Sequence, residues 1–225
     1  MEVDSSLVLI SSDAVNLEGE LALPNDAKGI VIFAHGSGSG RHSPRNQAVA
    51  AHLQEAGLAT LLMDLLTAEE EHEERYTRHH RFDIQLLCDR LVAATDFAST
   101  LDETAHLPIG FFGASTGAAA ALVAAAALGD RVEAVVSRGG RPDLAGSTLA
   151  VVAAPTLLIV GGADGPVIGM NRDAMGRMIS TSVRLEIIPE ATHLFVEPGA
   201  LERVADLSAA WFRRYLGRYG PEAII

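Results

Sequence analysis

Near the middle of the chain, Gly113-Ala114-Ser115-Thr116-Gly117 sets a hydroxyl between two glycines, where an apolar run gives way to an alanine-rich one. The pattern G-x-S-x-G suits a serine held on a sharp strand-to-helix turn, because the residues two before and two after it must lack bulk. Ala118 extends that requirement to the helix side. A serine hydroxyl is a poor nucleophile near neutral pH, so it needs a general base that is itself oriented by a carboxylate. His193, in "IIPEATHLFVEPG", is the one histidine that follows Ser115. Asp164, in "LIVGGADGPV", lies between them in the order serine, acid, histidine. Asp143 and Glu190 compete for the role of acid, and a loop aspartate is commonly no more than a turn former.

Acyl chemistry also needs donors for a developing oxyanion. One is expected from the N–H of the residue after the nucleophile, Thr116, and the other from the loop after the third strand. That loop reads "HGSGSGRHSPR" over residues 35–45, and its glycines let backbone approach a substrate. Ser37 is the expected second donor, with Gly36 as the alternative. His35 is then structural and pins the loop.

The elements that would carry these residues follow from periodicity. "SLVLIS" and "LEGELALP" alternate like an antiparallel pair at a sheet edge. "IVIFAHG" is a continuous apolar run of the kind a strand covered on both faces shows. From there strands alternate with helices expected near 46–55, 82–101, 116–128, 171–178 and 198–215. Eight strands in this order imply an α/β fold, with a mostly parallel sheet and helices on both faces. Chemistry in such sheets sits in loops beyond the carboxyl ends of the strands, and the residues above fall there. The chain reads as one domain over 1–225, with 1–28 as the antiparallel edge and 67–81 as a charged loop near the mouth of the site.

Together "FAHGSGSG", "GFFGASTG", "VGGADGPV" and "PEATHLF" resemble the α/β-hydrolase superfamily, and the short connections resemble its dienelactone-hydrolase-like branch. The resemblance implies a Ser115–His193–Asp164 triad on an α/β-hydrolase fold without a separate cap domain. It departs from dienelactone hydrolase itself at two places. Serine stands where that enzyme has cysteine, and Gly36 stands where it carries an acidic residue in the oxyanion loop. The implied function is hydrolysis of a small ester, lactone or related acyl substrate through an acyl-enzyme, with no metal or cofactor. The alternatives are a non-catalytic scaffold, or an acyltransferase or thioesterase using the same triad.

Composition narrows the partners. A net charge of −12 opposes nucleic acid and anionic membrane surfaces. All but one of the 17 basic residues are arginine, however, so a small anionic substrate stays open. Arg138 and Arg141, in "SRGGRPD", follow the sixth strand and are expected at the rim of the site, with Arg41 and Arg45 near them. A guanidinium pair there suits a carboxylate or phosphate.

Other motifs fail on spacing. Gly36-Ser37-Gly38 opens a dinucleotide fingerprint, but Arg41 occupies its third glycine position and Pro44 delays the helix. "HEERY" lacks the second histidine of a zinc motif. Cys88 alone cannot form an intramolecular disulfide, and the acidic start has no signal-peptide pattern, so a cytoplasmic protein is expected.

Overall fold

The structure, a computed structural model, describes residues 3–217. Its strands are β1 (Val3–Ser12), β2 (Val15–Pro24), β3 (Ile30–Ala34), β4 (Ala59–Met63), β5 (Ile109–Ala114), β6 (Val132–Arg138), β7 (Thr156–Gly161) and β8 (Val183–Ile188). They form one sheet in the order β1-β2-β4-β3-β5-β6-β7-β8. The β1/β2 and β2/β4 pairs are antiparallel and the others parallel. The helices are α1 (Pro44–Glu55), α2 (Ala68–Thr77), α3 (Ile84–Thr100), α4 (Thr116–Leu128), α5 (Gly165–Arg177) and α6 (Ala200–Leu216). No helix among the described residues is long and apolar enough to cross a membrane.

Strand pleating sends alternate side chains to opposite faces, and β3 shows why its run is continuously apolar. Ile30 and Ile32 enter a core with Leu87 and Leu91 of α3 and the alanines of α4. Val31 and Phe33 enter a second core with Val49 and Leu53 of α1 and Trp211 and Phe212 of α6. Ala118, Ala119, Ala120 and Ala121 are fully buried. The alanines therefore serve packing, because small side chains let α4 lie close to the sheet and to α3.

Helix α5 begins at Gly165, six residues earlier than the expected 171. Asp164 occupies its N-cap position and Pro166 sits in its first turn, where proline is tolerated because the N–H it removes has no intrahelical partner. The segment expected as a charged loop over 67–81 is instead mostly helix α2. Thr67 Oγ1 accepts the Glu70 N–H at 3.2 Å and Glu70 returns the bond to the Thr67 N–H at 2.8 Å, a reciprocal capping box. Glu70 also pairs with Arg90 at 2.9 Å. Glu74, 1% exposed, accepts from the His80 N–H at 2.7 Å and pairs with Arg81. Its density of charge is thus partly internal pairing, which fixes the segment against the body.

His35, at the end of β3, ties the following loop to the end of β4. Its Nε2 accepts the Leu65 N–H at 2.9 Å and its Nδ1–H donates to Gly36 O at 2.9 Å. This arrangement uses the neutral ring. Burial lowers the His35 pKa against the smaller opposing pull of Gly36 O, Asp64 and Glu71.

Two outcomes are expected. Burial alone would raise the Glu74 carboxyl, but Arg81 and the His80 N–H outweigh it and hold the group below the usual glutamate value. Its contribution is therefore complete above that value and lost as pH falls through the lower folded one. Glu74→Ala should cost about 2 kcal/mol at pH 7 in urea unfolding, with the gap to the parent narrowing at acid pH. For His35 the neutral form is favoured by folding, so stability should decline as pH drops below about 6.5. Urea midpoints measured across pH 5 to 7 should show that decline flattened in His35→Gln.

Candidate active site

Ser115 lies at the end of β5, directly before α4, with φ 51° and ψ −119°. A non-glycine residue held there stores roughly 1–3 kcal/mol of strain. Its neighbours fix it in that conformation. The Ser115 N–H donates to Arg138 O at 3.2 Å, and Ser115 O accepts from the Arg141 N–H at 3.0 Å and the Ala118 N–H at 3.2 Å. The flanking glycines are sterically required. A Cβ on Gly113 would collide with Ala118 Cα, and one on Gly117 with the carbonyl oxygens of Ala34 and His35.

His193 lies on the loop after β8 and Asp164 directly after the loop that ends β7. The carboxylate can only accept, so His193 Nδ1–H donates to Asp164 Oδ2, at 2.7 Å, leaving Nε2 as the basic atom. The two loops are laced together. Gly162 N–H reaches Ile188 O at 2.8 Å and Ala163 N–H reaches Ala191 O at 2.9 Å. A side chain at Gly161 would strike the backbone of Ala191 and Thr192. The competing acids are elsewhere engaged: Asp143 is held by Arg141 through two bonds, of 2.9 and 2.7 Å, and Glu190 is an exposed turn residue with φ 62°.

His193 packs on Gly139, in the turn that holds the backbone of Ser115. A Cβ on that glycine would lie 3.4 Å from His193 Cε1, and the preceding residue, Arg138, holds the Ser115 N–H. Among the described residues no hydrogen bond joins the Ser115 hydroxyl to His193. Such bonds are often long before substrate arrives and tighten in the complex.

Thr116 opens α4, so its N–H has no intrahelical acceptor. Ser37 faces it across the cleft: the Ser37 N–H donates to Thr116 Oγ1 at 3.2 Å and the two hydroxyls lie 2.9 Å apart. Gly36 permits this approach, since a Cβ there would sit 3.1 Å from Ser115 Cβ. The structure thus sets Ser37 against the residue that follows Ser115, with the Ser37 N–H occupied by a threonine hydroxyl.

The arginines divide. Arg41 pairs with Asp64 and Glu18, and Arg141 with Asp143, so neither is a free cation at the rim. Arg138 is buried, not on the rim. Its Nη2 reaches Asn46 Oδ1 of α1 at 3.3 Å, and its guanidinium lies 5.9 Å from the Phe195 ring centroid. Sequence reasoning missed Asn171, fully buried on α5, whose Nδ2 holds Gly140 O at 3.0 Å and so braces the loop that clasps Ser115. The one available signal was an asparagine inside a helix, where that residue is disfavoured. Among the described residues no three His, Cys, Asp or Glu side chains gather as a metal site.

Comparison with known proteins bears on this geometry. Residues 17–215 match the family model described as the dienelactone hydrolase family. A crystal structure of dienelactone hydrolase from Anabaena variabilis is 60% identical, with a TM-score of 0.93 over 96% of this chain and all of that one. The esterase Est1E from Butyrivibrio proteoclasticus, 18% identical, shares the fold with a TM-score of 0.76 over 92% of this chain and 98% of that one. Two Mycobacterium tuberculosis proteins with the provisional name phosphoribosyl transferase are 54% identical over 214 residues. Those residues are 95% of this chain and 47% of each relative, so the chain spans about half their length. By its matched length and its α/β-hydrolase fold, the chain belongs to the dienelactone hydrolase family of hydrolases.

Proposed function

We propose that the chain is a serine hydrolase cleaving a small ester, lactone or related acyl substrate. The observation that carries this reading is the His193–Asp164 bond at 2.7 Å beside a serine held at φ 51°. A strained serine, a base presenting a free Nε2 and a carboxylate fixing the tautomer are the parts that acyl transfer requires.

Ser115 Oγ attacks the carbonyl carbon and its proton passes to His193 Nε2. Asp164 stabilises the imidazolium through Nδ1–H. The oxyanion is taken up by the Thr116 N–H and by the Ser37 N–H, which turns from Thr116 Oγ1 to the substrate oxygen. Each such donor is worth roughly 3–4 kcal/mol in the transition state. Collapse breaks the bond to the leaving alcohol, which takes the proton from His193. Water then attacks the acyl-enzyme and gives its proton to His193, and collapse returns a proton to Ser115 as the acid departs.

The test is fluorophosphonate labelling with peptide mapping, alongside hydrolysis of an activated ester. Label should fall on Ser115 and depend on His193. Ser115→Ala and His193→Ala should each lower kcat by about a million-fold, and Asp164→Ala by about ten-thousand-fold. Folded protein that neither labels nor cleaves an activated ester would establish the non-catalytic scaffold instead. Product appearing on an added thiol or amine in preference to water would establish acyl transfer.

A further inference from the structure

The backbone and the side chain of Ser37 both meet one atom. The Ser37 N–H donates to Thr116 Oγ1 at 3.2 Å, and Ser37 Oγ stands 2.9 Å from the same oxygen. The two hydroxyls have two hydrogens between them, and the contact that joins them uses one. Neither hydroxyl has a further partner among the described residues. One hydrogen is therefore left over, and burial decides whose it is. Thr116 is 4% exposed, whereas Ser37 is open to solvent. Were Ser37 the donor, the Thr116 hydrogen would be stranded in the interior without an acceptor. With Thr116 as the donor, its oxygen accepts the Ser37 N–H, its hydrogen goes to Ser37 Oγ, and both of its bonds are made. The spare hydrogen then belongs to Ser37, on the open side.

The bonds run in one direction, from N–H through Oγ1–H to Oγ–H, so each link polarises the next. They run beside the nucleophile. Thr116 directly follows Ser115 in sequence, and Gly36 directly precedes Ser37. A Cβ on Gly36 would sit 3.1 Å from Ser115 Cβ, so the 35–45 loop meets the nucleophile through residue 36 and its successor through residue 37. Behind the pair lies a recess of about 10 Å³, bordered by Leu65, Leu66 and Glu71. It has room for about one water and is too small to admit a substrate.

We propose that the Ser37 hydroxyl is a catalytic donor, oriented by the Thr116 hydroxyl to give the oxyanion a third hydrogen bond beside the Thr116 and Ser37 N–H groups. The bond from Thr116 occupies a lone pair of Ser37 Oγ and not its hydrogen, so it persists when the Ser37 N–H turns to the substrate oxygen. Ser37 keeps its proton throughout, and no covalent bond to it forms or breaks. A hydrogen bond to an ionised acceptor is stronger than one to a neutral carbonyl, so this one tightens as charge develops and acts on kcat. The proposal deepens the reading of Ser115 as an acyl-transfer nucleophile and rests on it.

The test is steady-state hydrolysis of an activated ester by variants that keep both backbone donors. Ser37→Ala, on an exposed loop, should lower kcat and kcat/KM together, by about a hundredfold. Ser37→Thr, which keeps a hydroxyl, should recover most of that loss. A trifluoromethyl ketone, whose adduct with Ser115 carries the oxyanion, should bind Ser37→Ala more weakly by a similar factor. Thr116→Val should lose about tenfold, and the double variant Ser37→Ala/Thr116→Val should be no slower than Ser37→Ala, because the Thr116 hydroxyl acts through Ser37. Should Thr116→Val not fold, the two Ser37 variants decide alone. Unchanged kcat in Ser37→Ala, a rise in KM alone, or fully multiplicative losses in the double variant overturns the proposal. So does an equal loss in Glu71→Ala, which would assign the spare hydrogen to the carboxylate bordering the recess. A parent protein without turnover dependent on Ser115 overturns the hydrolase reading and this proposal with it, whereas an active parent indifferent to Ser37→Ala overturns this proposal alone.

Discussion

The strained backbone of Ser115 is the constraint on which the rest of the site depends. A residue at φ 51° relaxes unless its surroundings leave it nowhere to go, and here three separate parts of the chain meet on it. Strand β3 runs so close that the carbonyls of Ala34 and His35 occupy the space of a side chain at Gly117. The turn after β6 clasps both the N–H and the C=O of Ser115. Helix α4, sunk by its alanines, takes the last bond through the Ala118 N–H. Each contact is modest, and together they offset the strain because none can be lost without moving a buried element.

Helix α5 extends this constraint to the other residues of the proposed triad. Asp164 sits at its N-cap, and Asn171, within two turns on the same helix, holds Gly140 O in the turn that clasps Ser115. One rigid element thus sets the distance between the acid and the nucleophile's support. The histidine loop is fixed in turn to the Asp164 loop through the Gly162 and Ala163 N–H groups. Positional errors in the three residues are therefore shared, which matters more for catalysis than the strength of any one bond.

Much of this arrangement was legible in the sequence, and for physical reasons. Continuous apolar runs marked the strands buried on both faces, and small residues around Ser115 and after β7 marked places where backbone passes backbone. The helix over 116–128 was read with its observed bounds. The segment after β4 was not, because a run of carboxylates looks like solvated chain until its partners are known. Thr67-Ala68-Glu69-Glu70 carried the capping-box spacing, yet nothing local shows that Glu74 turns inward to Arg81. The arginines show the same limit. Arg141 and Asp143 are close enough in sequence to suggest each other, which would have set Asp143 aside as the acid, whereas Arg41 meets Asp64 only through the fold.

The electrostatics of the site follow from where those pairings leave charge. In the proposed mechanism His193 becomes an imidazolium in the transition state, and Asp164, largely shielded from water, supplies the favourable field at Nδ1. In that mechanism the 2.7 Å bond to Asp164 does two things at once: it holds the proton on Nδ1, which leaves Nε2 as the basic atom, and it stabilises the charge the ring gains when Nε2 takes the serine proton. Orientation and charge stabilisation thus come from one contact, and that contact is held in place by the backbone bonds between the two loops.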